Sequence, residues 1–337
     1  MNGRFEVENK IEARIKNKLI SCPDYLYDWY MNLKANNSTP ATCYDYLNKV
    51  IQMLMSYQNH YPTINELSQR HTIEYFDSIQ KIKDRKGNVK YSSSSYQQNV
   101  WCALSNFFDF LYRTKLISNN YMETIKRPKD KDSERIKNER VLLTQDDFNK
   151  ILSSVNGKSN NYKVYKERTD LHNRDKLIIC LFMTTGMRKT ALTEIDINDI
   201  DLDRCKLSII DKGKKYHIYS LSDDIMEYIK KWLLDRENIK GHEKTDALFI
   251  SEKGDRLTGN AIVKIVEKYS KAGLGYSISP HKLRAGFCSI LYDKKHDIEF
   301  VRKVVGHANI RTTQRYIVTD NTERKEAVDI MSDLLKM

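Results

Sequence analysis

The chain has 337 residues, with 57 lysines and arginines against 45 aspartates and glutamates, so its formal net charge is +12. Hydrophobic residues make up 40% of the chain, which excludes a wholly disordered protein, and the length predicts about two domains. The longest apolar run, residues 177–183, is too short to span a bilayer. The six cysteines are scattered, which argues for a reducing cytosol and against a zinc site. The basic excess favours a polyanionic partner.

The first 120 residues carry apolar side chains at helical spacing. Ser38 and Thr39 are candidate N-caps before Pro40, a residue that is favoured at the first position of a helix. We therefore expect a small helical domain over residues 1–125. Its predicted helices cover residues 23–34, 40–58, 71–82 and 93–113.

Residues 126–140 change the composition abruptly. Seven of these 15 residues are basic and four are acidic, and only Ile136 is a strong hydrophobe. Such a segment cannot build a core and is typical of a linker, although a solvated surface loop has the same composition. Thr144 with Asp147 three residues later resembles a capping box, so we expect a second domain over residues 141–337.

The second domain mixes helical patterns with two short runs typical of strands. Residues 205–210 and 216–221 flank the sequence DKGKK, which predicts a β-hairpin. The fold class expected for the whole chain is therefore mostly α with a small antiparallel β-sheet. The predicted helices cover residues 144–153, 173–185, 223–236, 258–271, 281–293, 297–305 and 322–335.

Four short motifs in this domain carry basic and nucleophilic side chains and follow one another along the chain. Each has an ordinary explanation when it is taken alone: a basic residue near a helix end, a soluble lysine in a turn, a surface histidine, or a packed tyrosine. The motifs are TGMR, DKGKK, HKLR and GHANIRTTQRY, which supply Arg188, Lys212, His281, Arg284, His307 and Tyr316.

As a set, these residue types suit attack on a phosphodiester. Arginine forks bind phosphate oxygens in bidentate fashion and stabilise the charge that gathers in the transition state. A lysine or a histidine can protonate the leaving oxygen. A tyrosine hydroxyl can act as the covalent nucleophile where cationic neighbours favour its phenolate form.

The order and spacing of the four motifs resemble the catalytic domain of tyrosine recombinases, the phage-integrase family, and above all its Xer-like members. Lys212 follows Arg188 by 24 residues, His307 follows Arg284 by 23, and Tyr316 follows His307 by nine. The resemblance covers about residues 141–337. Over residues 20–120 the chain is similar to the SAM-like core-binding domain of the family in size and pattern only.

The resemblance implies a site-specific DNA recombinase. Tyr316 would attack the scissile phosphate, form a 3′-phosphotyrosyl bond and release a 5′-hydroxyl. Arg188 and Arg284 would bind the phosphate, His281 would assist proton transfer, and His307 would hydrogen-bond the phosphate or position the tyrosine. The phosphotyrosyl bond conserves the energy for rejoining, so the resemblance implies no cofactor, neither a metal nor ATP.

Two positions leave questions open. The family assigns the hairpin lysine as the general acid for the leaving 5′-oxygen, which implies Lys212, but Lys214 and Lys215 share the same turn. Three residues after Arg188 the family usually has glutamate, and here this position is Ala191, with Glu194 one helical turn further on. This difference bears on how the first arginine is held.

The resemblance also implies the partners. These are duplex DNA with inverted core half-sites and further copies of the chain, in a cyclic tetramer on two DNA sites, coupled head to tail through residues 322–335. We expect a cytoplasmic protein on the bacterial nucleoid, with no membrane partner and no separate arm-binding domain before residue 20. A group of basic residues in the first domain are candidates for contact with the DNA backbone, and the alternative is that they line a solvated loop. These residues are Lys81, Lys83, Arg85, Lys86 and Lys90. Lys282, beside the second arginine, is a further candidate.

Two other functions remain compatible with these motifs. A type IB topoisomerase or a hairpin telomere resolvase uses the same set of residues, although the Xer-like spacings and the short chain argue against both. A DNA-binding regulator would keep the fold and lose a catalytic residue, and this sequence retains the full set.

Overall fold

A computed structural model describes residues 2–57, 60–83, 87, 89–129, 143–156, 171–211, 215–306 and 313. The chain divides into two compact units, Glu6–Glu139, and Met1–Phe5 together with Arg140–Met337. Most of the charged segment 126–140 and the whole of the predicted helix 322–335 lie outside the described residues. The mostly helical fold with a small antiparallel sheet is confirmed.

The described residues of the first unit form helices and a short hairpin. Helix α1, which the sequence pattern did not predict, supplies Ile15 and Leu19 to the core. A single 3₁₀ turn, Ile64–Glu66, precedes α4. In chain order the elements are α1 (Asn2–Leu19), α2 (Asp24–Ala35), α3 (Pro40–Leu54), α4 (Gln69–Ser78), β1 (Lys81–Lys83), β2 (Val89–Tyr91) and α5 (Ser94–Arg113).

Large aromatic side chains form the centre of this unit. Trp29 of α2 meets the edge of Phe107 of α5 at a ring-centroid distance of 5.0 Å, and both are fully buried. The indole N–H of Trp29 donates to Asn106 Oδ1 at 2.9 Å, which satisfies its polar group. Thr39 caps α3 as predicted, because its hydroxyl accepts a hydrogen bond from the Thr42 N–H at 3.2 Å.

The helix predicted over 71–82 is wrong at its C-terminal end. It stops at Ser78, and Lys81–Lys83 instead pairs with Val89–Tyr91 as an antiparallel hairpin. Lys81, Ile82 and Lys83 alternate polar and apolar residues with the period of a strand. Gly87, at φ +84°, adopts the left-handed conformation that such a connection requires.

The second unit is mostly helical with one three-stranded sheet. Its short 3₁₀ turns are Ile197–Asp199 and His242–Lys244. In chain order the elements are α6 (Gln145–Asn156), α7 (His172–Thr185), α8 (Lys189–Glu194), β3 (Ile200–Asp201), β4 (Lys206–Asp211), β5 (Lys215–Ser220), α9 (Asp223–Glu237), α10 (Gly259–Leu274), α11 (Pro280–Lys295) and α12 (Ile298–Val305).

Helix α7 is the central element of this unit. Its residues 177–182 are buried on every side, as expected of a helix that is apolar all round. Helices α6, α9 and α11 pack against it. Before α6, Thr144 and Asp147 form the predicted reciprocal cap: the Asp147 N–H donates to the Thr144 hydroxyl at 3.2 Å, and the Thr144 N–H donates to the Asp147 carboxylate at 2.9 Å.

The sheet has the strand order β3-β4-β5 and is antiparallel throughout. Along β4 and β5 the buried side chains alternate with outward ones, so Leu207 and Tyr219 face the core while Tyr216 and Ile218 are exposed. The last register pair is Asp211 with Lys215. The sequence therefore predicted this hairpin correctly. No helix in the part of the chain that the structure describes is long and apolar enough to cross a membrane.

The buried phenol of Tyr75 predicts a pH dependence of stability. Burial, and to a lesser degree the neighbouring Tyr96, raises the pKa of Tyr75 from its ordinary value of 10.0 to about 12. Its contribution to stability is therefore fully present below pH 10 and is lost as the pH rises through 12. The free energy of unfolding of Tyr75→Phe, measured by urea denaturation, should fall less steeply between pH 10 and 12 than that of the wild type.

The matched control is Tyr112→Phe, at an exposed position of α5. It should retain the wild-type slope. Identical slopes for Tyr75→Phe and the wild type would contradict the prediction.

Candidate active site

Arg284 connects three of the motifs. It lies one turn into α11, whose start is set by Pro280 and by the Ser279 hydroxyl, which accepts a hydrogen bond from the Lys282 N–H. Although charged, Arg284 is only 2% exposed. Its Nη1 donates to the Gly186 carbonyl at 2.5 Å and its Nη2 donates to the Val305 carbonyl at 2.7 Å. A buried guanidinium needs such partners, and here they join the turn after α7 to the end of α12.

The first of these turns carries Arg188. Gly186 ends α7 in the left-handed conformation, at φ +59°, and a Cβ at this position would overlap the ring of Phe287 of α11. Met187 is buried, and Arg188 follows as the half-buried N-cap residue of α8. The glycine therefore allows the turn to press against α11, which brings Arg188 to the helix that carries Arg284.

Arg284 and Arg188 both lie near the thiol of Cys288. Burial raises the pKa of this thiol to about 11, while the positive charges of Arg284 and Arg188 both oppose the rise. Cys288 lies on α11 one turn after Arg284. Both guanidinium groups therefore lie within electrostatic reach of one buried side chain.

The second turn begins the closing motif, residues 306–316. Gly306 ends α12 at φ +68°, and a Cβ there would lie 3.0 Å from Nε2 of His217 on β5. The turn therefore lies against the sheet on one side. On the other side, Arg284 holds it through the hydrogen bond to the Val305 carbonyl. His307 and Tyr316 lie outside the described residues, so their predicted roles stay predictions.

The remaining predicted residues are placed in part. His281 and Lys282 are exposed in the first turn of α11, and His281 shares a helix face with Arg284 three residues later. Lys212 and Lys214 lie outside the described residues. The residues on either side of this segment, Asp211 and Lys215, pair with each other at the ends of β4 and β5.

Ala191, which stands where the family usually has glutamate, is buried in α8 and only 2% exposed. A cavity of about 40 Å³ adjoins it, lined also by Glu194, Ile209 and Tyr216. The lining of this cavity includes residues of α8, of strands β4 and β5, and Arg4.

Three of the lysines proposed for DNA contact, Lys81, Lys83 and Lys90, lie on the hairpin of β1 and β2. Lys81 of β1 is exposed, and its ammonium nitrogen lies 5.9 Å from the ring centroid of Tyr91, which is 73% exposed. Lys83 pairs with Val89 across the hairpin. Arg85 and Lys86 lie outside the described residues. A basic, partly aromatic surface of this kind suits a phosphate backbone, and the contacts remain a prediction.

Sequence reasoning missed two features of the site. It identified Arg284 but not its two backbone partners, because a long-range side-chain hydrogen bond leaves no periodic pattern. It did not identify His217 either, since a single histidine in a strand has no motif to mark it. Within the described ranges, no group of three or more His, Cys, Asp or Glu side chains is placed to hold a metal ion.

The sequence is similar to those of known proteins. The model of the "Phage integrase family" matches residues 142–323. Tyrosine recombinase XerC of Shewanella amazonensis is 32% identical over 65% of this chain and 68% of its own length. Tyrosine recombinase XerC of Caldanaerobacter subterraneus subsp. tengcongensis is 32% identical over 67% of this chain and 60% of its own length.

Among solved structures, the fold is similar to XerH site-specific recombinase bound to palindromic difH substrate in a post-cleavage complex. The TM-score is 0.61 at 24% identity, with 89% of this chain and 82% of that chain covered. A lambda integrase dimer bound to a COC′ core site gives a TM-score of 0.58 at 16% identity, over 87% of this chain and 76% of that chain. At these identities the likeness establishes the fold.

Gly186→Ala tests the close approach of the arginine turn to α11. The methyl group would meet Phe287 in a left-handed turn, so we expect a loss of about 3 kcal/mol in the free energy of unfolding. Gly275→Ala is the matched control, because Gly275 also ends a helix in the left-handed conformation, at φ +82°, but has open space around it. It should cost about 1 kcal/mol. Equal losses in urea denaturation would show that the contact with Phe287 is unimportant.

Proposed function

This chain belongs to the phage integrase family, and we propose from that premise that it cuts and rejoins duplex DNA through a covalent tyrosine–phosphate intermediate. Its activity is site-specific DNA recombination, and its enzyme class is the tyrosine recombinases. The observation that carries the chemical proposal is the double hydrogen bond of Arg284, which brings the motifs of Arg188 and Arg284 and the start of the closing motif to one place.

In the proposed first step, the phenolic oxygen of Tyr316 attacks the scissile phosphorus and its proton passes to His281. The P–O5′ bond breaks as the P–O bond to tyrosine forms, and Lys212 supplies the proton that completes the leaving 5′-hydroxyl. In the second step the 5′-hydroxyl of another strand attacks the phosphotyrosine, releases Tyr316 and restores a phosphodiester. Exchange of one strand pair gives a Holliday junction, and the second exchange resolves it.

The arginines provide the electrostatic part of the proposal. The transition state gathers negative charge on the non-bridging oxygens of phosphorus, and guanidinium groups stabilise it best when they are already oriented. The carbonyls of Gly186 and Val305 orient Arg284 in this way. His281, one turn away on α11, would assist proton transfer, and His307 would hydrogen-bond the phosphate or position Tyr316.

The proposed partners are DNA and further copies of the chain. The net charge of +12 supports attraction to DNA that weakens steeply with salt. We propose inverted core half-sites as the target and a cyclic tetramer on two sites as the active assembly. A protein of similar fold, a lambda integrase tetramer bound to a Holliday junction, offers an analogy for this assembly. We place this activity in the cytoplasm, on the bacterial nucleoid, because that is where the substrate DNA lies.

Tyr316→Phe tests the covalent step. The target site is first sought by sequencing the DNA that flanks the gene for inverted repeats. A nicked duplex carrying this site traps the intermediate, because the short 5′ fragment diffuses away. The wild-type protein should form a protein–DNA adduct that resists denaturing electrophoresis, and Tyr316→Phe should form none, since it lacks the attacking oxygen.

Tyr276→Phe, at an exposed position outside the motifs, is the matched control and should form the adduct normally. Equal behaviour of the wild type and Tyr316→Phe would refute the catalytic proposal. Relaxation of any supercoiled plasmid regardless of its sequence would favour a type IB topoisomerase instead.

Deletion of residues 322–337 tests the proposed coupling of subunits. If the apolar face of Met331, Leu334 and Leu335 docks on a neighbouring subunit, the truncated chain should remain a folded monomer that binds one half-site but no longer binds a full site cooperatively. Gel-shift titrations on half and full sites measure this.

Leu335→Ala and Asp333→Ala form a matched pair on opposite faces of the predicted helix. We expect only Leu335→Ala to weaken cooperative binding. Unchanged cooperativity in the truncated chain would refute the coupling role.

A further inference from the structure

His217 is half-buried, and its Nε2 atom is buried where strand β5 meets the Gly306 turn. His217 lies on β5, opposite Ile209 in the register, and its ring centroid is 4.9 Å from that of Tyr219. It lies five residues after the predicted general acid, Lys212, on the hairpin strand that leads back from it. The proposed mechanism gives this histidine no role.

Nε2 is the ring atom that approaches the Gly306 turn most closely. The distances from an added Cβ at Gly306 would be 3.0 Å to Nε2, 3.4 Å to Cδ2 and 3.7 Å to Cε1. The imidazole therefore presents a polar atom, rather than a carbon edge, to the turn. Any side chain at position 306 would also be strained by its φ of +68°, so glycine is needed both for the turn and for the contact.

Within the part of the chain that the structure describes, the buried Nε2 has no hydrogen-bond partner. Burying a nitrogen in this state costs about 1–3 kcal/mol relative to a paired one. A packing role alone is better served by leucine or phenylalanine, which would fill the same space without this cost. The polar atom at this position therefore indicates a hydrogen bond that belongs to another state of the enzyme.

We propose that His217 is a positioning residue for DNA cleavage. In the DNA-bound state its Nε2 forms a hydrogen bond to the Gly306 turn, which it then fixes from the side of the sheet while Arg284 fixes it through Val305. Strand β5 and the Gly306 turn are thereby held in register. This inference rests on the proposed function and adds a residue to it.

The test compares three variants of the full-length protein. His217→Leu keeps the bulk and removes the polar atom, His217→Gln places an amide group near the position of Nε2, and His217→Asn places one near Nδ1 instead. The single-turnover rate of adduct formation on the nicked duplex is measured with all DNA bound, and DNA affinity and thermal unfolding are measured separately.

We expect His217→Leu to form the adduct about 100-fold more slowly, the scale of a misplaced reacting group, with DNA affinity within twofold of the wild type. His217→Gln should recover the rate to within about fivefold, and His217→Asn should not. If His217→Leu does not fold, the difference between the Gln and Asn variants decides the question by itself.

Wild-type cleavage by His217→Leu would overturn the role of His217 and leave the proposed function intact. Equal losses in all three variants, accompanied by lowered unfolding temperatures, would also overturn it, because the role would then be packing. A wild-type enzyme that forms no adduct would overturn the proposed function and this inference together.

Discussion

The organisation of the chemical centre depends on one buried guanidinium. Arg284 donates hydrogen bonds to two backbone carbonyls that are far apart in the chain. One lies in the turn after α7 and the other at the end of α12. A charge in such a site must be paired with oriented polar groups, or burial would cost several kcal/mol. The hydrogen bonds that pair the buried charge therefore also determine where both turns lie. Lysine could not replace Arg284, since only the planar guanidinium reaches two acceptors at fixed angles.

Two glycines complement this arginine. Gly186 lets the first turn approach the ring of Phe287, and Gly306 lets the second turn approach the imidazole of His217. Each turn is thus held by a hydrogen bond from Arg284 on one side and by a close contact at glycine on the other. The carbonyls of Gly186 and Val305 thus orient Arg284 within the chain itself, which is the condition for effective electrostatic stabilisation of a transition state.

Local rules predicted much of this fold, and long-range contacts account for the rest. The caps at Thr39 and Thr144 and the hairpin of β4 and β5 follow from short patterns whose physics acts within a few residues. Helix α1 was missed because its helical face carries few apolar residues, and β1 was assigned to a helix because three residues give too little periodicity. The arginine and histidine types at the site were visible in the sequence. The carbonyl partners of Arg284 and the contact of His217 were not, since each joins segments that are distant along the chain.

The buried contacts of the centre, those of Arg284, Gly186, Val305 and His217, all belong to the second unit. The first unit has a separate aromatic core around Trp29 and Phe107. Substitutions on the surface of the first unit therefore do not have to be compatible with the packing that holds the arginines. The surface of one unit can change in sequence while the buried contacts of the other are inherited unchanged.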